Sequence, residues 1–93
     1  MAQILQIPTN ELDLFIRSTE VSSYLPGRVR LYHKDAMGNP KLADKIKNYL
    51  ASFPEITKTE VNTVSGSILI LYDVEKLRKN PKLKKVEDYI RRK

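Results

Sequence analysis

Between Asn39-Pro40 and Phe53-Pro54 the sequence spells one amphipathic helix, and the rest of the chain has to pack around it. Leu42, Ile46, Tyr49, Leu50 and Phe53 follow at offsets of 4, 7, 8 and 11, which places them on one face of an α-helix. Asn39 can cap the first turn, Pro40 suits a first helical position that needs no N–H, and Pro54 ends the run. A helix with one apolar face must bury it against a second layer.

That layer is written on both sides of the helix. Glu20 to His33 is extended, with Val29, Leu31 and His33 alternating against Arg28, Arg30 and Tyr32, the period of a strand with one buried face. Pro26-Gly27 interrupts it and predicts a bend or bulge there, and Lys34 to Gly38 reads as a loop. After the helix, Ile56 to Val61 is a strand of mixed polarity, and Asn62 to Ser67 is turn chemistry. Ile68 to Tyr72 is a strand apolar on both faces, so the pair predicts a hairpin whose second strand lies centrally in the sheet. Asp73 caps a turn of helix. Asn80-Pro81 opens another, with Leu83, Val86 and Ile90 as a narrower stripe. Asn80-Pro81-Lys82-Leu83 repeats Asn39-Pro40-Lys41-Leu42, which fits both a shared start signal and a pseudo-twofold of two halves. Upstream, Gln3 to Ile7 suits a strand, and residues 10–18 suit a short helix after Thr9-Asn10.

The order strand–helix–strand–strand–helix is the split βαβ pattern. The expected fold class is therefore α+β: a ferredoxin-like βαββαβ two-layer sandwich on an antiparallel sheet. Residues 1–19 form an N-terminal extension of strand plus short helix, and residues 20–93 form the domain. Its final strand is expected to be absent, because the basic helix runs to Lys93. Gln3 to Ile7 is the candidate to fill the vacant edge beside the strand ending at His33. An edge left open would invite a partner strand, and with it a homodimer. Leu31, Ile46, Leu50, Ile68, Ile70 and Val86 are the expected core.

With 93 residues the chain is one domain, and with no cysteine it has no disulfide, iron–sulfur cluster, thiolate zinc site or cysteine nucleophile. The N-terminus lacks the basic start and apolar stretch of a secretory signal. The longest apolar run, Ile68 to Tyr72, falls far short of the about 20 residues of a membrane span. The expectation is a cytoplasmic protein, at most peripheral to a membrane. Net charge is +6, and nine of the 17 basic residues lie from Lys76 onward. That asymmetry argues for attraction to polyanions, against the plainer reading of a solvated helix face.

Four stretches taken together resemble a known family: Leu25-Pro26-Gly27-Arg28-Val29-Arg30-Leu31, Gly38-Asn39-Pro40, Phe53-Pro54-Glu55-Ile56 and Val61 to Asp73. They resemble the cysteine-less heavy-metal-associated (HMA-like) domains found at the N-termini of some metal-transporting P-type ATPases and as small companion proteins. The resemblance implies the βαββαβ fold and a link to metal transport or storage, with iron as one candidate metal. It also implies a protein partner, for which a P-type ATPase is the candidate. Domains of the metallochaperone type hold soft metals through a Cys-x-x-Cys in the loop after the first strand. Here that loop is His33-Lys34-Asp35-Ala36-Met37-Gly38-Asn39, without a thiolate, which excludes copper(I) or zinc carriage by that route.

Three constellations carry the remaining chemistry. His33, Asp35 and Met37 are the residues of that loop able to touch a metal, too few for a tight site, so a satisfied strand-end histidine is the plainer reading. Arg28, Arg30 and Tyr32 share a sheet face suited to a partner or polyanion, although the aromatic pair of an RNA-binding sheet is missing. Lys82, Lys84, Lys85, Arg91 and Arg92 on the last helix are the candidates for nucleic acid or an anionic membrane surface. Ser65-Gly66 sits in turn chemistry, and Gly27, Gly38 and Gly66 are too scattered to cradle a phosphate. The sequence therefore points away from an enzyme, requires no cofactor, and favours an adaptor module in a metal-handling system.

Overall fold

The computed structural model describes residues 14–92. Helical residues 14–17 (α1) lead into β1 (Glu20–Leu25) and β2 (Arg28–Tyr32), followed by a 3-10 turn (Lys34–Ala36) and α2 (Pro40–Ala51). Then come β3 (Ile56–Asn62), β4 (Ser67–Tyr72), α3 (Val74–Lys79) and α4 (Pro81–Arg91). The helix starts written in the sequence form as read. Asn39 accepts the Leu42 N–H on its side chain at 3.1 Å, Asp73 that of Lys76 at 3.1 Å, and Asn80 that of Lys82 at 3.2 Å. Asn80 ends α3 and starts α4 at once, and Pro81 after it prevents one continuous helix.

The sheet is antiparallel throughout, in the order β1-β2-β4-β3. β4, apolar on both faces, lies between β2 and β3 as its composition predicts. The expected two-layer α+β sandwich is present, with one correction to the route of the chain. Pro26-Gly27 does not bend a single strand; it closes a hairpin that pairs Leu25 with Arg28. Gly27 has φ +86 while proline holds its own φ negative, so the dipeptide makes a type II turn. β1 thereby takes the edge beside β2 for which Gln3 to Ile7 was the candidate, and Gln3 to Ile7 lies outside the described residues. In the usual ferredoxin-like arrangement that edge belongs to the strand following the second helix; here an upstream strand fills it.

Register decides what each face carries. Val29, Leu31, Ile68, Ile70 and Tyr72 face the helices and join Ile46, Leu50, Leu77, Leu83, Val86 and Ile90 in one buried cluster. All six residues expected in the core are there. α2 lies over the β3 half of the sheet, and α4 reaches β1. Both edge strands carry an irregularity, Ser22 as an extra residue in β1 and Thr57 in β3. After Ser22 the alternation of β1 is reset, which points Tyr24 inward beside Val29.

Candidate functional site

The loop between β2 and α2, which carries His33, Asp35 and Met37, is a packed structural element. Ala36 is fully buried beneath it. His33 N–H donates to the Gly66 carbonyl at 2.9 Å and Gly38 N–H to that of Thr63 at 2.7 Å, which stitches the loop to the β3–β4 turn. That turn is set by Asn62, whose side chain accepts from the N–H groups of Val64 at 2.8 Å and Ser65 at 3.2 Å. The His33 ring stacks on Phe15 at 5.8 Å between centroids, and its Nδ1 accepts the Asp35 N–H at 3.2 Å. Met37 is exposed, and its Sδ accepts from the Tyr32 hydroxyl at 3.2 Å. The loop thus engages one nitrogen of His33 and the sulfur of Met37 internally, and leaves the Asp35 carboxylate exposed. No group of three or more histidines, cysteines, aspartates or glutamates able to hold a metal occurs among the described residues.

The second constellation lies on the face of the sheet turned away from the helices. Arg28 stands opposite Leu25 on β1 and Leu71 on β4, and Arg30 opposite Ser23 and Leu69. Tyr32 stands opposite Glu20 and Ser67, and Lys58 and Glu60 continue the rows across β3. Arg28 and Arg30 are exposed and make no ion pair with another described residue, whereas Lys58 is paired with Glu60 at 3.0 Å. The structure therefore brings Arg28, Arg30 and Tyr32 together on one face, and it adds Leu25, Leu69 and Leu71, which sequence reasoning did not single out.

The basic helix is a third, separate surface. Lys82, Lys84, Lys85, Arg91 and Arg92 are all exposed. Asp88 draws in two of them, Lys84 at 3.4 Å and Arg91 at 3.5 Å. Arg17 lies 4.6 Å over the Tyr89 ring and extends the same positive surface onto α1.

A polar cluster missed in the sequence fixes α4 in place. Glu87 is 3% exposed, and its carboxylate accepts from Tyr72 at 2.6 Å, from Tyr24 at 2.9 Å and from Arg78 Nε at 2.9 Å. The two tyrosine hydroxyls lie 3.3 Å apart, but each has one proton and Glu87 takes both. Burial alone would raise the Glu87 pKa, and it is the largest single influence. The hydrogen bonds from Arg78, Tyr72 and Tyr24 together outweigh it and hold the carboxyl below its ordinary value. Tyr72 moves the other way: burial first, then its bond to Glu87, pushes the phenol far above the usual tyrosine range. One signal could have found Glu87. It falls between Leu83 and Ile90 on the inward stripe of α4, where a carboxylate needs partners.

No curated protein and no solved structure matches the chain. A family model does, heavy metal associated domain 2, over residues 12–86. That span covers the N-terminal hairpin, the sheet, α2 and most of α4, so the chain belongs to the heavy metal associated domain 2 family.

Proposed function

We propose that this chain is a non-catalytic adaptor of a metal-handling system, acting through protein contacts rather than through a tight metal site of its own. The observation that carries this reading is the β2–α2 loop. Its backbone is stitched to the β3–β4 turn, and Ala36 fills the space beneath it. A loop built this way can still offer His33 Nε2, Asp35 and Met37 to a passing ion, but two conventional ligands bind weakly. The partner that fits the family is a cytosolic domain of a metal-transporting P-type ATPase, which would place the chain in the cytoplasm beside a membrane. No described helix is long and apolar enough to cross one.

Two measurements test the reading together. Calorimetry with copper(I), zinc and iron(II) is expected to give at most weak binding; submicromolar one-to-one binding abolished by His33→Ala would overturn it. Tagged full-length chain is expected to co-purify with a metal ATPase or another metal-handling protein, and capture unrelated to metal handling would sink the adaptor role. A second reading, docking of α4 on nucleic acid or an anionic membrane, draws on Lys82, Lys85 and Arg92, which no described acidic side chain pairs.

A further inference from the structure

We infer that the face of the sheet turned away from the described helices docks an acidic, partly apolar segment of a protein partner. Arg28 and Arg30 receive its carboxylates, and Leu25, Leu69 and Leu71 receive its apolar side chains. The inference rests on the protein-contact reading above and adds to it the surface and the chemistry of the occupant. The buried cluster gathers the helices against the opposite side of the sheet, and none of the three leucines belongs to it. Leu25 is 59% exposed, while Leu69 and Leu71 are half-buried beside their strand neighbours Arg28, Arg30, Lys58 and Glu60. An apolar strip on an open sheet, edged by charge, is the make-up of a contact surface.

Charge selects the occupant. Lys58 and Glu60 cancel each other at 3.0 Å, and Glu20 stands at the far end of the face beside Tyr32. The two arginines without a described acidic partner lie on the inner strand β2, Arg28 at its hairpin end and Arg30 at its centre, alternate residues whose backbone positions are about 7 Å apart. Each offers a planar fork matched to a carboxylate. Two carboxylates one helical turn apart, about 6 Å, span them with leucines between. A second copy of this chain fits poorly, because a twofold contact through this face sets like guanidiniums against each other in a drying interface. Single-stranded RNA fits poorly too. It needs aromatic platforms, and Tyr32 is the aromatic residue on the described face, its hydroxyl already donated to Met37, while Tyr24 and Tyr72 point inward. Strand addition is discouraged at both edges by the irregularities at Ser22 and Thr57, which leaves the face rather than the edge.

The test uses isotope-labelled full-length chain followed by amide resonances. The probes are a helical Glu/Leu peptide with glutamates one turn apart, its Lys/Leu counterpart, and an oligouridine. Addition of the acidic peptide is expected to move amides at residues 25, 28, 30, 69 and 71, and the Lys/Leu peptide to leave them still. Arg28→Gln/Arg30→Gln should weaken binding by about tenfold or more, since charge-assisted hydrogen bonds are lost. Arg28→Lys/Arg30→Lys should recover part of it. Melting curves confirm that the variants fold, and sedimentation of the free chain is expected to show a monomer. Four results overturn the inference: equal response to both peptides, shifts confined to α4, oligouridine bound on the sheet, or a dimer that the arginine substitutions dissolve. The peptide assay contains no metal and no metal-handling protein. Failure there leaves the adaptor reading to stand or fall on its own capture experiment, and failed capture leaves the peptide result intact.

Discussion

Glu87 is the residue whose environment departs furthest from what its type suggests. Three donors hold an ionised carboxylate in the core, and they come from β1, β4 and α3. In Glu87→Gln the amide cannot match this all-donor surrounding, so a buried hydroxyl loses its acceptor. Stability is expected to fall by about 1–3 kcal/mol at neutral pH, the usual cost of an unsatisfied buried group. The pH dependence follows from linkage. A carboxyl whose folded pKa lies below its unfolded value contributes stability above the unfolded pKa, about 4.3, and loses it as pH falls through the folded one. Denaturant melts of the parent chain should therefore weaken as pH drops below about 4.3, and those of Glu87→Gln should weaken less. Parallel losses would remove Glu87 from the acid transition. The sequence conceals this cluster for a plain reason: Tyr24 and Glu87 are 63 positions apart, and the reset of β1 at Ser22 that points Tyr24 inward leaves no compositional trace.

At the level of elements the sequence is far more legible. The α2 stripe, the asparagine and aspartate caps, and the central place of β4 follow from local chemistry and periodicity, which is why they are found where they were read. Ile46, 6% exposed at the centre of the α2 face, should cost about 2–5 kcal/mol when cut to alanine. An unchanged melting temperature would contradict the packing of α2. The hairpin at Pro26-Gly27 is not legible locally, because a proline-glycine pair in an extended run serves a bend and a turn equally well, and partner register decides between them. The stitching of the β3–β4 turn to the β2–α2 loop is a tertiary contact that neither segment encodes alone. It yields its own prediction at Gly66. That residue has φ +79, and an added Cβ would lie 2.8 Å from the His33 carbonyl oxygen. Gly66→Ala should lower stability by about 1–3 kcal/mol and shift the ring resonances of His33. A silent substitution would mean the turn does not press on the loop.

At the scale of the whole molecule, the described surface divides into separate regions. The helices crowd one side of the sheet, the arginines and leucines occupy the other, and the surplus positive charge rides on the outward side of α4. Charge on α4 is then expected to be nearly idle in folding. A Lys82→Gln/Lys84→Gln/Lys85→Gln variant should change stability by less than about 1 kcal/mol, since exposed charges contribute little. It should weaken any retention on RNA or anionic vesicles and flatten the salt dependence of that retention. Titration against RNA, vesicles and the acidic peptide at two salt concentrations separates the surfaces: binding to the peptide should survive, and its loss would merge the two surfaces into one.

The hairpin that supplies β1 also bears on how the molecule assembles in time. In the usual ferredoxin-like order, the strand beside the first one arrives from the far side of the second helix, so that edge closes late and across most of the chain. Here Glu20 pairs with Tyr32 and Leu25 with Arg28, contacts between near neighbours along the chain. Trading a long loop closure for a local one lowers the contact order, and chains rich in local contacts cross their folding barrier faster. During synthesis β1 and β2 can pair before α2 has left the ribosome, whereas β2 must wait for β4 and Tyr24 must wait for Glu87. The sheet should therefore grow outward from its N-terminal edge, with the carboxylate of the last helix closing the structure.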